Sequence, residues 1–279
     1  MPGFHVSTGA AQLGSLRPEI VRDLELRRFG FELLLPDPLS VFPCPDGRTL
    51  ALWQDPHRTR EEISRFSRRD AEKIGSFQAE CAAFLDILEP MLYEDSVPSM
   101  DEVQDRFRKD EKTELFRCFL VGSMWDLVEE RFESDIVKAM LGFTSSFGTN
   151  AGPRSPGTAY VMAHHLFGGT SGVKGRTGYV RGGMGGLARA LAAAASRHGA
   201  VLRTDAEVGR IIVADDEVKG VELANGERIE ARTVVSNADP QRTFLGLINR
   251  NYLDPGFAQA VSNIEIQGVA LKVNCALEG

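Results

Sequence analysis

The chain has 279 residues, 43% of them hydrophobic and 25% charged, with a formal net charge of −7. That balance describes a soluble globular protein of up to two domains and excludes disordered and fibrous classes. It argues against a nucleic-acid partner, which needs a basic face, yet leaves room for an anionic cofactor held by backbone N–H groups. In chain order, Met1 to Phe4 reads as loop. Residues 17–29 (RPEIVRDLELRRF) read as a helix, with Pro18 early, an apolar stripe of Ile20, Val21 and Leu24, and Gly30 as the C-terminal cap. Residues 31–35 are a short apolar run ended by Pro36-Asp37-Pro38. Residues 40–42 and 49–53 flank Pro43-Cys44-Pro45-Asp46-Gly47 and predict a hairpin in a small antiparallel sheet.

Residues 55–92 are helical in pattern. Asp55 or Thr59 can cap, and Ile63, Phe66, Ile74, Phe77, Cys81, Phe84, Leu85 and Leu88 recur at helical spacing. The charges between them form a solvated face. Pro90 and Pro98 bracket a break, and residues 100–140 again look helical, with Phe107, Leu115, Phe119, Met124, Leu127, Val128 and Phe132 as core. Such apolar helices could instead roof an apolar cavity.

Residues 141–177 are rich in Gly, Ser, Thr and Pro and predict loop, with one helix over 157–167. Adjacent His164 and His165 point to different faces of that helix, and no Cys or acidic partner stands at ligand spacing, so no metal site is expected. Tyr160, His164 and His165 are candidates to line a substrate pocket; the plainer reading is a helix-surface or hydrogen-bonded histidine. Cys44, Cys81, Cys118 and Cys275 form no CxxC pair, so free thiols in a reduced, cytoplasmic compartment are expected. No run is long and apolar enough to span a membrane, though peripheral contact with one stays open. Residues 1–19 lack the basic start and apolar core of a signal peptide.

Residues 178–240 carry the densest local signals. A glycine-rich entry, Gly182-Gly183-Met184-Gly185-Gly186, leads into an alanine-rich helix over 187–198, closed by Gly199. Residues 201–204 predict a strand. A meander follows over 205–213, 218–223 and 228–236, with Asn225-Gly226 as a type I′ turn signal and Asn237-Ala238-Asp239-Pro240 as the polar end. Residues 269–276 predict a further strand. Gly183, Gly185 and Ala188 satisfy G-x-G-x-x-A, with Asp205 about twenty residues on. The fingerprint needs a buried strand before its first glycine, and only Tyr179-Val180 is available.

Three blocks carry a family resemblance: Gly182-Gly183-Met184-Gly185-Gly186-Leu187, Thr204-Asp205-Ala206-Glu207-Val208 and Val234-Val235-Ser236-Asn237-Ala238-Asp239-Pro240. The stretch resembles the flavin-dependent phytoene desaturase-like and amine oxidase-like oxidoreductases. Within them it is most similar to the branch whose members are named for a pyridine nucleotide-disulfide oxidoreductase domain. That likeness extends upstream through Leu16-Arg17-Pro18, Asp23-Leu24-Glu25-Leu26, Phe66-Ser67-Arg68-Arg69-Asp70-Ala71 and Ser155-Pro156-Gly157-Thr158-Ala159-Tyr160 to His165.

The resemblance implies an α/β (α+β mixed) fold of two domains with noncovalent FAD. A substrate domain of small mixed sheet and helices would span 1–177. A Rossmann-like segment with its meander would span 178–240, and 241–279 would return to the substrate domain. Cofactor contacts are implied at Val208, through its main chain, and at Glu207, Ser236, Asn237 and Ala238. The implied reaction is hydride removal from a C–C or C–N bond of a small hydrophobic substrate, with no catalytic side chain named. Members begin with a strand, a true G-x-G-x-x-G loop and a helix, which should precede Pro2, and they end with a further flavin-contacting segment. The expectation is therefore a fragment that is inactive alone and binds FAD weakly or not at all. Two alternatives stay open: an NAD(P)-dependent enzyme using Gly183 and Gly185, and a non-catalytic binding module or truncated gene product.

Overall fold

Caps and left-handed residues, more than hydrophobic periodicity, set the element boundaries. A computed structural model describes residues 6–266 and 268–276; the loop read at Met1 to Phe4 lies outside them. The chain divides into two units, Met1–His198 with Val269–Gly279, and Gly199–Gly268. The division falls inside the 178–240 stretch, after its alanine-rich helix.

In the first unit, α1 is Pro18–Asp23, shorter than the helix expected over 17–29. Glu25 takes a left-handed backbone (φ 49°), and a 3-10 turn, Leu26–Phe29, follows and ends at Gly30. The break changes which side chains are core: Val21 and Leu26 are buried, while Ile20 and Leu24 are exposed. After β1 (Leu33–Leu34), β2 (Ser40–Pro43) and β3 (Thr49–Leu52) form the expected antiparallel hairpin, with Val41 opposite Ala51.

The helix expected over 55–92 is two. Asp55 accepts from the His57 amide and caps α2, Pro56–Ser64. Ser67 accepts from the Asp70 amide and starts α3, Arg68–Met91. A capping side chain offers the backbone a partner outside the helix ladder, so periodicity runs straight through the break. A capping box of Ser99 and Glu102 opens α4, Met100–Lys109. Then come α5 (Thr113–Leu115), which runs into a π turn (Phe116–Val121), α6 (Met124–Glu129) and α7 (Asp135–Gly142). The helix expected over 157–167 is α8, Thr158–His164.

Stacked rings fill the core between these helices. Phe84 and Phe119 lie 5.1 Å apart and Phe77 meets Phe132 edge-on at 5.4 Å, separations at which aromatic pairs attract beyond their buried area. Every core residue expected from 55–140 is buried except Phe66 and Leu115, which pack half-buried against the rest. Burial pushes the Cys81 thiol up to about 12. Asp70, wholly buried in the first turn of α3, accepts from the amides of Glu133 and Ser134 at 2.9 Å each, which ties α3 to the start of α7. A second, smaller core forms where α9 (Met184–Arg197) lays Leu187, Ala190 and Ala194 against Val21, Leu26 and Phe31. Ahead of it, β4 (Tyr179–Val180) pairs antiparallel with β1.

The second unit is built on an antiparallel meander, β5 (Val208–Ala214), β6 (Glu217–Leu223) and β7 (Arg228–Glu230), in the order β5-β6-β7. Ile211, Val221 and Ile229 form one cross-strand row; Arg210, Glu222 and Arg228 form the next, on the opposite face. The two arginines hold the Glu222 carboxyl down to about 2. The turn chemistry differs from expectation. Asp215 and Asp216 both have positive φ, as a type I′ turn requires. At Asn225-Gly226 only the glycine does (φ 86°), and bonds from the Gly226 amide to Leu223 and from the Leu223 amide to Glu227 make a longer loop with a glycine bulge. A π turn (Gln241–Leu247), a 3-10 turn (Arg250–Tyr252) and α10 (Pro255–Ser262) complete the unit.

Three expected strand segments do not form: residues 201–204, the end of the run over 228–236, and 269–276. Val201 is 85% exposed, Val235 92% and Leu271 91%. A strand needs a neighbour for its N–H and C=O groups, and none of the described residues lies in a ladder beside these segments. Among the described residues the architecture is mixed helix and strand with three small sheets.

Candidate functional site

Glu207, Val208, Ser236, Asn237 and Ala238 all lie in the second unit. Val208 opens β5 opposite Leu223, and the carbonyl of Glu207 accepts from the Ala224 amide at 2.8 Å. β5 is an edge strand, so among the described residues one side of its backbone is unpaired in the sheet.

The segment 236–239 is a tight polar turn. The Ala238 amide donates to Ser236 Oγ, and Ser236 Oγ lies 2.8 Å from Thr243 Oγ1. Thr243, 8% exposed, also donates through Oγ1 to the Ala238 carbonyl and through its amide to Asp239. The Arg242 amide donates to Asp239 Oδ1 at 2.8 Å. The π turn thus grips the 236–239 turn, and its Arg242 guanidinium reaches the Glu207 carboxylate at 3.8 Å.

The structure therefore brings the start of β5 and the 236–239 turn together through Arg242 and Thr243, neither of which stood out in the sequence. Asp239-Pro240, an N-cap residue followed by a helix-starting proline, is the signal that could have found them. Glu207, Ser236, Asn237 and Ala238 are exposed and Val208 half-buried. A free strand edge, a hydroxyl and an exposed amide side chain suit an adenosine, which offers ring nitrogens and ribose hydroxyls to such groups.

The glycine-rich turn belongs to the first unit and has no such fit. A pyrophosphate loop leaves a parallel strand and enters a helix; here β4 has two residues and runs antiparallel to β1. Gly186 is required because a Cβ there would run into the Arg181 carbonyl. At the start of α9, the Met184 amide already donates to Ser7 Oγ at 3.1 Å. Gly183 and Gly185 therefore make a close strand-to-helix corner, and the nicotinamide alternative loses its geometric support.

Tyr160, His164 and His165 gather in the first unit. Tyr160 and His164 are 6.0 Å apart ring to ring on α8, and His164 meets Phe167 at 5.4 Å. His165 stands edge-on to Phe147 at 6.0 Å, Phe147 meets Phe143 at 4.8 Å, and Phe143 meets Phe42 at 5.8 Å. Phe143 and Phe147 are 53% and 47% exposed, so the strip reaches the surface. Burial and neighbouring His164 hold the His165 pKa below its ordinary value against an opposing backbone contact from Phe147. Its Nε2 is buried without a hydrogen-bond partner. Burial raises the Tyr160 hydroxyl. Two open hollows in this unit are lined by other residues. Among the described residues no three His, Cys, Asp or Glu side chains converge as a metal group, and no helix is long and apolar enough to cross a membrane.

The family model of the flavin containing amine oxidoreductases matches residues 2–273, and the chain belongs to that family. The resemblance read from the glycine, Thr204–Val208 and Val234–Pro240 blocks is borne out. The chain is 32% identical over 306 residues to mouse (Mus musculus) pyridine nucleotide-disulfide oxidoreductase domain-containing protein 2, covering 100% of this chain and 52% of that protein. It thus spans about half the length of that relative. It is 27% identical to a chloroplastic prolycopene isomerase 2 of an Oncidium hybrid cultivar, over 75% of this chain and 35% of the relative. To 4,4'-diaponeurosporene oxygenase of Staphylococcus aureus (strain USA300) it is 23% identical, over 74% of this chain and 40% of the relative.

Proposed function

We propose that this oxidoreductase chain works with FAD, and that the reaction removes a hydride from a C–C or C–N bond of a small hydrophobic substrate. The observation that carries the cofactor reading is the joining of the β5 start to the 236–239 turn by Arg242 and Thr243. The main chain of Val208, the Ser236 hydroxyl and the Asn237 side chain would hold the adenosine end, with Glu207 and Ala238 beside them. Bound flavin supplies the hydride acceptor, and the protein supplies position and dryness. On the substrate side, the strip from Phe42 to Tyr160 offers an apolar face. Two relatives are named for prolycopene and 4,4'-diaponeurosporene, which supports a hydrophobic substrate. Four unpaired cysteines agree with a reducing, cytoplasmic setting.

No described segment cradles a pyrophosphate in the manner of a strand–glycine loop–helix unit, so the chain binds FAD weakly and turns over little by itself. Fluorescence titration tests this: FAD should give a weak saturable signal and NADH none. Flavin that co-purifies one to one, or NADH binding as tight as FAD, contradicts the reading.

A further inference from the structure

The corner between α1 and the Leu26–Phe29 turn faces the 170–172 loop across an open hollow of about 390 Å³. Three arginines line it, Arg22, Arg27 and Arg28, with one acidic residue, Glu25. Counting the Asp23 carboxylate that sits on Arg22, the cluster carries an excess of one positive charge, three minus two, in a chain whose net charge is −7. Arg22 is paired with Asp23 at 2.8 Å and Arg28 with Glu25 at 2.5 Å. Arg27 makes no ion pair among the described residues. A neighbouring hollow of about 330 Å³ gives the contrast: Arg17 and Lys174 there face Glu19 and Glu89, and both cations are paired.

The convergence is a product of the backbone. In an unbroken helix Arg27 and Arg28 would lie five and six residues beyond Arg22, on other faces. The left-handed turn at Glu25 sends all three to one hollow. A non-glycine residue held left-handed is strained and persists only where its surroundings enforce it, and such positions gather at functional sites. The opposite wall is preset. The Gly169 and Thr170 amides donate to the Gly14 carbonyl, and Thr170 Oγ1 lies within hydrogen-bond distance of the Gly14 and Leu16 carbonyls. Pro18 and buried Val21 add an apolar surface.

We propose that this hollow binds a small molecule bearing a phosphate dianion, with Arg27 as the anchoring cation and the apolar part of the ligand against Pro18 and Val21. Arg27 is the one lining cation with no ion pair among the described residues, and a guanidinium can grip two phosphate oxygens at once. The site is independent of the flavin reading. Calorimetric titration of the chain at low ionic strength with phenyl phosphate, inorganic phosphate and succinate tests it. Phenyl phosphate should bind saturably and tighter than inorganic phosphate. Arg27→Gln should weaken it by about tenfold or more, as expected for a lost charge-assisted contact. Arg17→Gln, in the neighbouring hollow, should leave it unchanged. Arg27 is exposed, so Arg27→Gln should keep the wild-type melting temperature. Absence of saturable binding, full affinity in Arg27→Gln, or succinate binding as tight as phenyl phosphate would overturn the proposal.

Discussion

Replacing Asp70 tests the tie between α3 and α7. Its carboxylate is fully buried and accepts two backbone amides, from Glu133 and Ser134, at 2.9 Å each. In Asp70→Ala both amides lose their acceptor, at about 1–3 kcal/mol each. Relief from burying a carboxylate offsets part of the gross cost of about 2–6 kcal/mol, so the net loss is about 3 kcal/mol. Asp70→Asn keeps one acceptor oxygen and turns an N–H group toward the other amide, so it should lose about half as much or more. At about 2–4 °C per kcal/mol for a unit of this size, Asp70→Ala lowers the melting temperature by about 6–12 °C. Urea unfolding followed by circular dichroism, with the m-value as a check on two-state behaviour, gives the free energies. Asp70→Ala within about 0.5 kcal/mol of wild type, the range of an ordinary surface change, would refute the reasoning.

The His165 pKa is lowered in the fold. Its contribution to stability is therefore full above the unfolded value of about 6.5 and is lost as pH falls through the lower folded value. Stability measured by urea titration from pH 7.5 downward should fall less steeply in His165→Asn; parallel curves would contradict this. Thr243→Val keeps side-chain shape but loses the contacts to Ser236 and Ala238. At about 1 kcal/mol per bond, amide exchange over 237–239 should quicken about five- to thirtyfold with unchanged far-ultraviolet dichroism; unchanged exchange would show that Thr243 does not hold the turn. Native protein should react quickly with a thiol reagent at exposed Cys275 and hardly at Cys81, whose thiol sits at about 12; mass spectrometry of the labelled sites reads the outcome.

The residues that read true from sequence are those whose signal is local. Phe77 and Phe84 were legible because helical spacing alone places them on one face of α3, and Asp55 because a cap acts on its own next turn. The break at Glu25 was not, because nothing in its residue type announces a left-handed backbone. Residues 201–204 and 269–276 have the apolar, β-branched content of strands, but content says nothing of whether a partner strand lies alongside. The blocks at 204–208 and 234–240 carried the family. Their joining through Arg242 and Thr243 was invisible, since it depends on a π turn that returns to β5 from thirty-odd residues away.

Hydrogen exchange with and without millimolar FAD is the most direct test of where the cofactor lies, because high concentration compensates for weak affinity. The adenosine contacts proposed at Val208 and Ser236–Ala238 predict slowed exchange over 207–209 and 236–239, with residues 182–186 unchanged. Protection centred on 182–186, with 207–209 and 236–239 unaffected, would contradict them and return the glycine-rich turn to the cofactor.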